Sequence, residues 1–308
     1  MQESYTAANA LPYKLASDPT VISRVQTGLI PPKHVQFIPT NRCNLRCSFC
    51  SCAKRDTSLV MEPVEIYEMV RHLAEVGTEA VTITGGGEPL LHPDFDFIVR
   101  TFREHDIQVG LVTNGTCLDL PDTLDLLTWC RISAADERDL DGFSDKVLRA
   151  VERAPDVGWA FSYVLSPQAN AENLAKHFRL AEQLDFTHVR VVADLLHPGD
   201  VVMARDVADS PLAIWQPRTS WAPGIPDCRI SLLKPVIGPD GKVYPCCGVQ
   251  YARDDMDLDL PDDFVMGTWR DIGQMKAFDG SVCKRCYYDD YNSLLRAMSE
   301  GLDHSAFL

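Results

Sequence analysis

From residue 34 onward, apolar and polar positions follow two alternating rhythms, one strand-like and one helical. The run His34-Val35-Gln36-Phe37-Ile38-Pro39 predicts a short strand ending at a cysteine-rich loop. Pro63 to Val76 places Ile66, Met69, Val70 and Leu73 on one helical face. Strands are then expected at Ala80 to Thr84, Ile107 to Thr113, Cys130 to Ala134, Val157 to Val164 and His188 to Ala193. Helices are expected between them at Phe95 to Glu104, Leu120 to Trp129, Phe143 to Val151 and Glu172 to Leu184. Six strand-helix repeats imply an α/β fold with a parallel sheet and right-handed crossovers. They are too few to close an eight-stranded barrel, so a partial (β/α)6 TIM-like barrel is expected.

Beyond Asp194 the pattern loses its period, and His197-Pro198-Gly199, Pro211, Pro217, Pro223 and Pro226 read as a linker. The chain therefore divides into a leader over 1–33, a core over 34–195, a linker over 196–227 and a cysteine-bearing region over 228–308. Within that last region, Cys228 and Cys246 flank a hairpin-like turn, Pro239-Asp240-Gly241, with apolar strand material on both sides. The acidic run Asp254 to Asp263 reads as a solvated loop.

With 45% hydrophobic and 24% charged residues over 308 positions, the composition is that of a globular protein. The N-terminus shows neither the basic flank nor the apolar stretch of a signal peptide, and a cytoplasmic location is expected. A formal net charge of -15 argues against nucleic acid as partner, since a phosphate backbone is held by basic patches. No apolar run is long enough for a membrane span.

Eleven cysteines without an export signal point to metal binding or chemistry rather than disulfides. Most fall into three clusters: Cys43, Cys47, Cys50 and Cys52; Cys246 and Cys247; Cys283 and Cys286. Cys43-x3-Cys47-x2-Cys50 offers three thiolates on one short loop, whereas a closed structural site takes four ligands. Cys52 as the fourth would need a tight reversal. A zinc loop is the alternative.

Cys43-x3-Cys47-x-Phe49-Cys50, at the end of a first strand, resembles the radical S-adenosylmethionine (radical SAM) superfamily. The resemblance implies that the three cysteines bind a 4Fe-4S cluster whose fourth iron is chelated by the methionine part of S-adenosylmethionine. It implies cleavage of that cofactor to a 5'-deoxyadenosyl radical that abstracts hydrogen. Thr84-Gly85-Gly86-Gly87-Glu88-Pro89, after the second strand, is similar to the superfamily's GGE motif. Gly86 and Gly87 then bring backbone close to the cofactor, and Glu88 accepts from its amino group. Thr113-Asn114-Gly115 is similar to a common turn beside the cofactor, and Ser133 to a serine that contacts it. A plain strand-helix turn and ordinary strand-end polar residues are the alternatives. The resemblance covers Val35 to Ala193.

Cys228-x12-Gly241-x4-Cys246, followed by Cys283-x2-Cys286, resembles the twitch domain of these enzymes, a shortened SPASM domain. It implies a second 4Fe-4S cluster with four cysteine ligands; a zinc ribbon is the alternative. The arrangement is similar to radical SAM 2-deoxy-scyllo-inosamine dehydrogenases, which oxidise a secondary alcohol, and a fully ligated cluster would accept the electron from a substrate radical. The resemblance also implies an electron donor such as flavodoxin or ferredoxin.

Of the remaining cysteines, Cys130 reads as packed core. Cys117 is a candidate hydrogen donor for a redox-neutral epimerisation, or an inert loop thiol, and Cys247 could replace Cys246 as ligand. The leader is too short for the peptide-recognition module of about 80 residues found in peptide-modifying relatives. A small polar substrate, such as a sugar, cyclitol or nucleoside, is therefore expected, with net oxidation ahead of epimerisation, elimination, decarboxylation or peptide modification. A non-catalytic zinc protein is the reading furthest from these. Tyr163, Arg190, Asp194 and His197 are candidate polar contacts at the ends of late strands.

Overall fold

The computed structural model describes residues 7–27, 32–138, 140–165, 170–196, 210–216, 221–253 and 262–300. Two helices open it, α1 (Ala7–Ala16) and α2 (Pro19–Thr27). There follow β1 (His34–Phe37), α3 (Pro63–Glu75), β2 (Ala80–Ile83), α4 (Phe95–Glu104), β3 (Gln108–Thr113), β4 (Trp129–Ala135), α5 (Ser144–Arg153), β5 (Gly158–Leu165), α6 (Ala171–Gln183) and β6 (His188–Ala193). The chain continues through β7 (Ala213–Gln216), the one-turn α7 (Ile230–Leu233), β8 (Val236–Ile237), β9 (Lys242–Tyr244), β10 (Gly267–Thr268) and α8 (Asp289–Glu300).

Among the described residues the ten strands join one sheet in the order β10-β9-β8-β1-β2-β3-β4-β5-β6-β7. From β8 to β7 the neighbours are parallel; β9 and β10 add an antiparallel extension. This is the partial-barrel α/β fold the repeats predict. The crossovers lay α3 to α6 against one face. Ile66, Met69, Val70 and Leu73 of α3 and Ile98, Val99 and Phe102 of α4 are buried there with Val35, Phe37, Ile83, Leu111, Ile132 and Phe161. Alternate residues of the same strands, Gln36, Thr82, Arg131, Ser133, Ser162 and Arg190, line a cavity on the other face. The strands thus carry an apolar convex face and a polar concave one.

Four stretches depart from expectation. Leu120 to Trp129 forms no helix: Pro121 interrupts it, and Asp96 of α4 accepts from the Asp122 and Thr123 amides (3.0 and 3.1 Å) and the Thr123 hydroxyl (2.6 Å). A single 3-10 turn at Leu124–Leu126 follows, with Leu124 and Leu127 buried. The stretch read as linker contains β7, paired in parallel with β6 through Val189 to Val192. The leader folds as α1 and α2, whose Leu15, Val21 and Val25 pack with Ile230, Leu233, Tyr288 and Leu295 from the other end of the chain. After Cys228 comes α7 rather than strand, while Val236–Ile237 and Lys242–Tyr244 pair as the expected hairpin, with Gly241 at φ +75 in its turn.

Among the described residues no helix is long and apolar enough to cross a membrane. His197 and residues 254–261 of the acidic run lie outside the described residues.

Candidate functional site

The loop after β1 brings Cys43, Cys47 and Cys50 to the end of the parallel strands where β2, β3 and β4 also finish, all three half-buried. N–H groups face two of the sulfurs: the Leu45 amide donates to Cys43 Sγ (3.5 Å) and the Arg55 guanidinium to Cys50 Sγ (3.7 Å). Arg55 is itself fixed by Asn41 O (2.8 Å). Such donors suit thiolates better than thiols.

The glycine turn seats this loop. Gly87 N donates to Thr40 O (3.2 Å) and Glu88 N to Arg42 O (2.7 Å). A Cβ on Gly87 would overlap the Arg42 carbonyl, and one on Gly86 the Asn41 side chain. Glycine is required here for close backbone approach.

Glu88 is buried at 1% exposure and lines the cavity. Its carboxylate accepts from Thr113 Oγ1 (2.6 Å), the Asn114 amide (2.6 Å) and the Leu90 amide (3.1 Å). Burial raises its pKa, while these three donors and the Arg138 charge pull it back. Among the described residues it forms no ion pair. A buried carboxylate held ready by neutral donors, facing a cavity, fits an incoming ammonium group.

Asn114 also donates to Asn44 of the cysteine loop (2.9 Å), linking the third strand's turn to the first loop. Arg138, which the sequence gave no reason to single out, donates to Ser133 O (2.5 Å) and Asn114 O and adds its positive field at Cys47, Cys43 and Glu88. Phe49, Gly86, Gly87, Thr113, Asn114 and Ser133 all line the cavity with Cys43, Cys47, Cys50 and Glu88. Its volume is about 1110 Å³.

Cys228, Cys246, Cys283 and Cys286 come together from separate segments. Cys228 N donates to Phe278 O (3.0 Å), Cys286 N to Ala222 O (2.7 Å), and Gly224 N to Cys283 O (2.8 Å). Asn292 Nδ2 and Gly248 N point at the sulfurs of Cys228 (3.4 Å) and Cys246 (3.3 Å). Burial pushes the Cys228 thiol up to about 11 and Cys283 to about 12, the fields of neighbouring cysteines adding to it. Cys246 is raised further by burial, then by Cys247, Cys228 and Cys283. Four mutually repelling sulfurs, Cys228 buried and the others half-buried, two of them facing N–H donors, fit a group that binds them as thiolates.

All eleven cysteines are free thiols. Among the described residues no group of three or more His, Cys, Asp or Glu is gathered tightly enough to hold a single metal ion. Ligands of a cluster each take a different iron and so stand further apart than those of one ion.

The remaining candidates separate. Cys52 takes a hydrogen bond from Gln250 of the C-terminal region (2.7 Å), and burial raises its pKa to about 11. Cys247 lies 3.2 Å from the Tyr288 hydroxyl and lines the cavity. Cys130 is core, as expected. Cys117 is not among the cavity's lining residues; it packs against the helix-side core beside Thr116 (3.6 Å). Tyr163 likewise faces the helices, fully buried, its hydroxyl donating to Asp136 (2.7 Å). Arg190 and Asp194 do line the cavity.

Residues 37–153 match the model of the radical SAM superfamily. The GTP 3',8-cyclase of Aquifex aeolicus is 36% identical over 95 residues, 29% of either chain. A probable GTP 3',8-cyclase of Pyrococcus abyssi is 35% identical over 89 residues, again 29% of each. The chain thus spans about three tenths of the length of these curated relatives. In fold it is similar to Streptococcus suis SuiB bound to precursor peptide SuiA, with TM-score 0.56, 14% identity, and 92% of this chain and 78% of that one covered. The cysteine loop, the glycine turn and the turn after the third strand all fall inside the matched stretch, and residues 37–153 are a radical SAM superfamily segment.

Proposed function

We propose that this chain is a radical SAM enzyme with two 4Fe-4S clusters, acting on a small polar molecule by net oxidation. One observation carries the reading: Cys43, Cys47, Cys50 and Glu88 from one end of the chain share a single cavity with Cys246 from the other. When bound, the N-terminal cluster and S-adenosylmethionine would supply a 5'-deoxyadenosyl radical able to abstract hydrogen.

The chain's own residues do the rest. Cys43, Cys47 and Cys50 supply three thiolates and leave one iron of a four-iron cluster without a protein ligand. Gly86 and Gly87 let the backbone lie against the cofactor, and Glu88 accepts from its ammonium. Thr113 and Asn114 fix the Glu88 carboxylate, while Phe49 and Ser133 border the same space. Cys228, Cys246, Cys283 and Cys286 would ligate every iron of the second cluster, which suits electron transfer better than substrate binding. In this reading residues 34–195 form the catalytic core and 228–308 the cluster-bearing region, with a ferredoxin or flavodoxin as electron donor. Cys117 packs against the core, with its sulfur 4.0 Å from Asn44 Nδ2 of the cysteine loop, and does not line the cavity, which favours oxidation over a Cys117-dependent epimerisation.

The test is anaerobic reconstitution followed by turnover in heavy water. Roughly eight irons per chain, 5'-deoxyadenosine formation, and product without solvent deuterium are expected. Stoichiometric zinc with no bound iron would overturn the enzyme reading, and deuterium retained at a stereocentre would overturn net oxidation.

A further inference from the structure

The cavity holds more positive charge than cofactor binding uses. Arg131 of β4, Arg190 of β6 and Lys234, just before β8, line it, and Lys14 of α1 stands at its exposed edge. Arg131 is 7% exposed, its guanidinium 5.0 Å from the Trp129 ring centroid. Arg190 is aimed by two hydrogen bonds to Ser162 Oγ (3.2 and 3.0 Å), and Lys234 lies 5.8 Å from the Tyr288 ring. The cations feel one another: burial lowers Lys234, Cys247 opposes that, and Arg131, Arg190 and Lys14 lower it again, while burial and then Arg190 bring Arg131 down to about 9.

Among the described residues neither Lys14 nor Lys234 forms an ion pair. Three acids of the same cavity are engaged elsewhere: Glu79 with Lys33 (2.6 Å), Glu88 with the turn after β3, and Asp194, which accepts from the Leu196 amide (2.8 Å). Asp289 and Asp290 sit in the first turn of α8, where they complement its N-terminus. The two histidines that border the cluster do not add to its charge. Burial and these cations hold His34 well below its usual range and His188 at about 3.

Gathering like charges in a buried space is unfavourable unless an opposite charge arrives. The chain as a whole carries -15, so such a pocket also counters the repulsion an anion would meet on approach. We propose that Arg131, Arg190, Lys234 and Lys14 form a site for an anionic group of the substrate, a carboxylate or a phosphate. Two guanidiniums suit such planar or tetrahedral oxygens, which they can grip bidentately.

The register sets the geometry. Ser133 pairs with Ser162, and Ser162 with Arg190, so these three share one rung of the sheet. Arg131 lies on the same face one repeat earlier than Ser133, about 7 Å down the strand. An anion held here directs the rest of a small molecule toward the strand ends that carry Cys43, Cys47, Cys50 and Glu88. The inference rests on the proposed function in taking this cavity as the reaction chamber.

The experiment titrates reconstituted holoenzyme by calorimetry at low salt with inorganic phosphate and, separately, with malonate, each with and without saturating S-adenosylmethionine. One saturable site per chain is expected for at least one anion, and which one binds distinguishes phosphate from carboxylate. The affinity should fall by about tenfold or more in Arg190→Gln and in Lys234→Gln, about threefold in Lys14→Gln at the edge, and stay unchanged in the remote Arg71→Gln. No saturable binding, equal binding in the variants, or displacement by S-adenosylmethionine would each overturn the anion site. Cleavage of S-adenosylmethionine without substrate is measured on the same samples. Cleavage without anion binding sinks this inference alone, whereas anion binding by protein that takes up no iron and does not cleave sinks the radical reading and leaves the site standing.

Discussion

The two cysteine sets are built on opposite kinds of support. Cys43, Cys47 and Cys50 ride on one irregular loop, half-buried, facing a large cavity. Cys228, Cys246, Cys283 and Cys286 come from separate segments pinned by backbone hydrogen bonds, Cys228 and Cys246 packing with the leader helices and α8. A single loop can present three sulfurs and leave the fourth direction to a ligand, whereas segments converging from several directions enclose what they hold. The proposed difference in role rests on this contrast: all three N-terminal sulfurs line the cavity, whereas of the second set only Cys246 does.

Substitution of the cysteines should break the contrast most visibly. Cys50→Ala is expected to remove about four irons per chain and lower 5'-deoxyadenosine formation by roughly a thousandfold or more. Cys283→Ala should lose a similar amount of iron yet keep cofactor cleavage within about tenfold of wild type. Iron analysis and chromatographic counting of 5'-deoxyadenosine read both, and equal losses of cleavage would erase the distinction.

Gly87→Ala should come next, because its Cβ has no room beside the Arg42 carbonyl. The strain, about 1–3 kcal/mol, falls on the N-terminal loop. Iron at the C-terminal set should survive while cofactor binding is lost, as equilibrium dialysis would show. Retained binding would mean that the glycine turn does not seat the loop.

Glu88→Gln keeps the size of the side chain and removes its charge. A hydrogen bond to a charged group is worth about 1.5–3 kcal/mol, so the dissociation constant for S-adenosylmethionine should rise by about tenfold or more with iron content unchanged. Unaltered affinity would remove Glu88 from the cofactor site.

The smallest effect concerns pH. His188 is neutral when folded because burial, then Arg131 and Arg190, depress its pKa from 6.5 to about 3. Between those values the unfolded chain binds the extra proton, so stability is present above about pH 6.5 and is lost as pH falls toward 3. His188→Gln should flatten that part of the curve of denaturant midpoint against pH; an unchanged slope would show that buried His188 is not held neutral in the folded chain.

Much of this was legible in the residues. Strand and helix rhythm placed β1 to β6 and four of the helices, because a parallel sheet covered on one face imposes a strict alternation on its strands. The meeting of the cysteine loop, the glycine turn and Thr113-Asn114 was legible because close backbone approach restricts residue type. Leu120 to Trp129 deceived because the positions of Leu124 and Leu127 suit a helix, while the Asp96 clamp that prevents one lies on another element. β7 was missed because four residues carry too little period beside so many prolines. Arg138, Gln250, Arg190's neighbours and the leader's packing on α8 depend on contacts between distant segments, and no local spacing announces them. Tyr163 turns to the helix side of its strand and Cys117 does not reach the cavity, since sequence fixes alternation but not which face a strand residue turns toward.

The central claim is that three N-terminal sulfurs leave one iron open to S-adenosylmethionine. The most direct measurement counts 5'-deoxyadenosine and methionine released by reduced, iron-loaded wild type and by the Cys43→Ala, Cys47→Ala, Cys50→Ala triple variant. Cleavage by wild type alone, while the variant keeps about four irons at its second set, is the predicted result. No cleavage by fully loaded wild type supplied with a turned-over substrate, or equal cleavage by the variant, would contradict it.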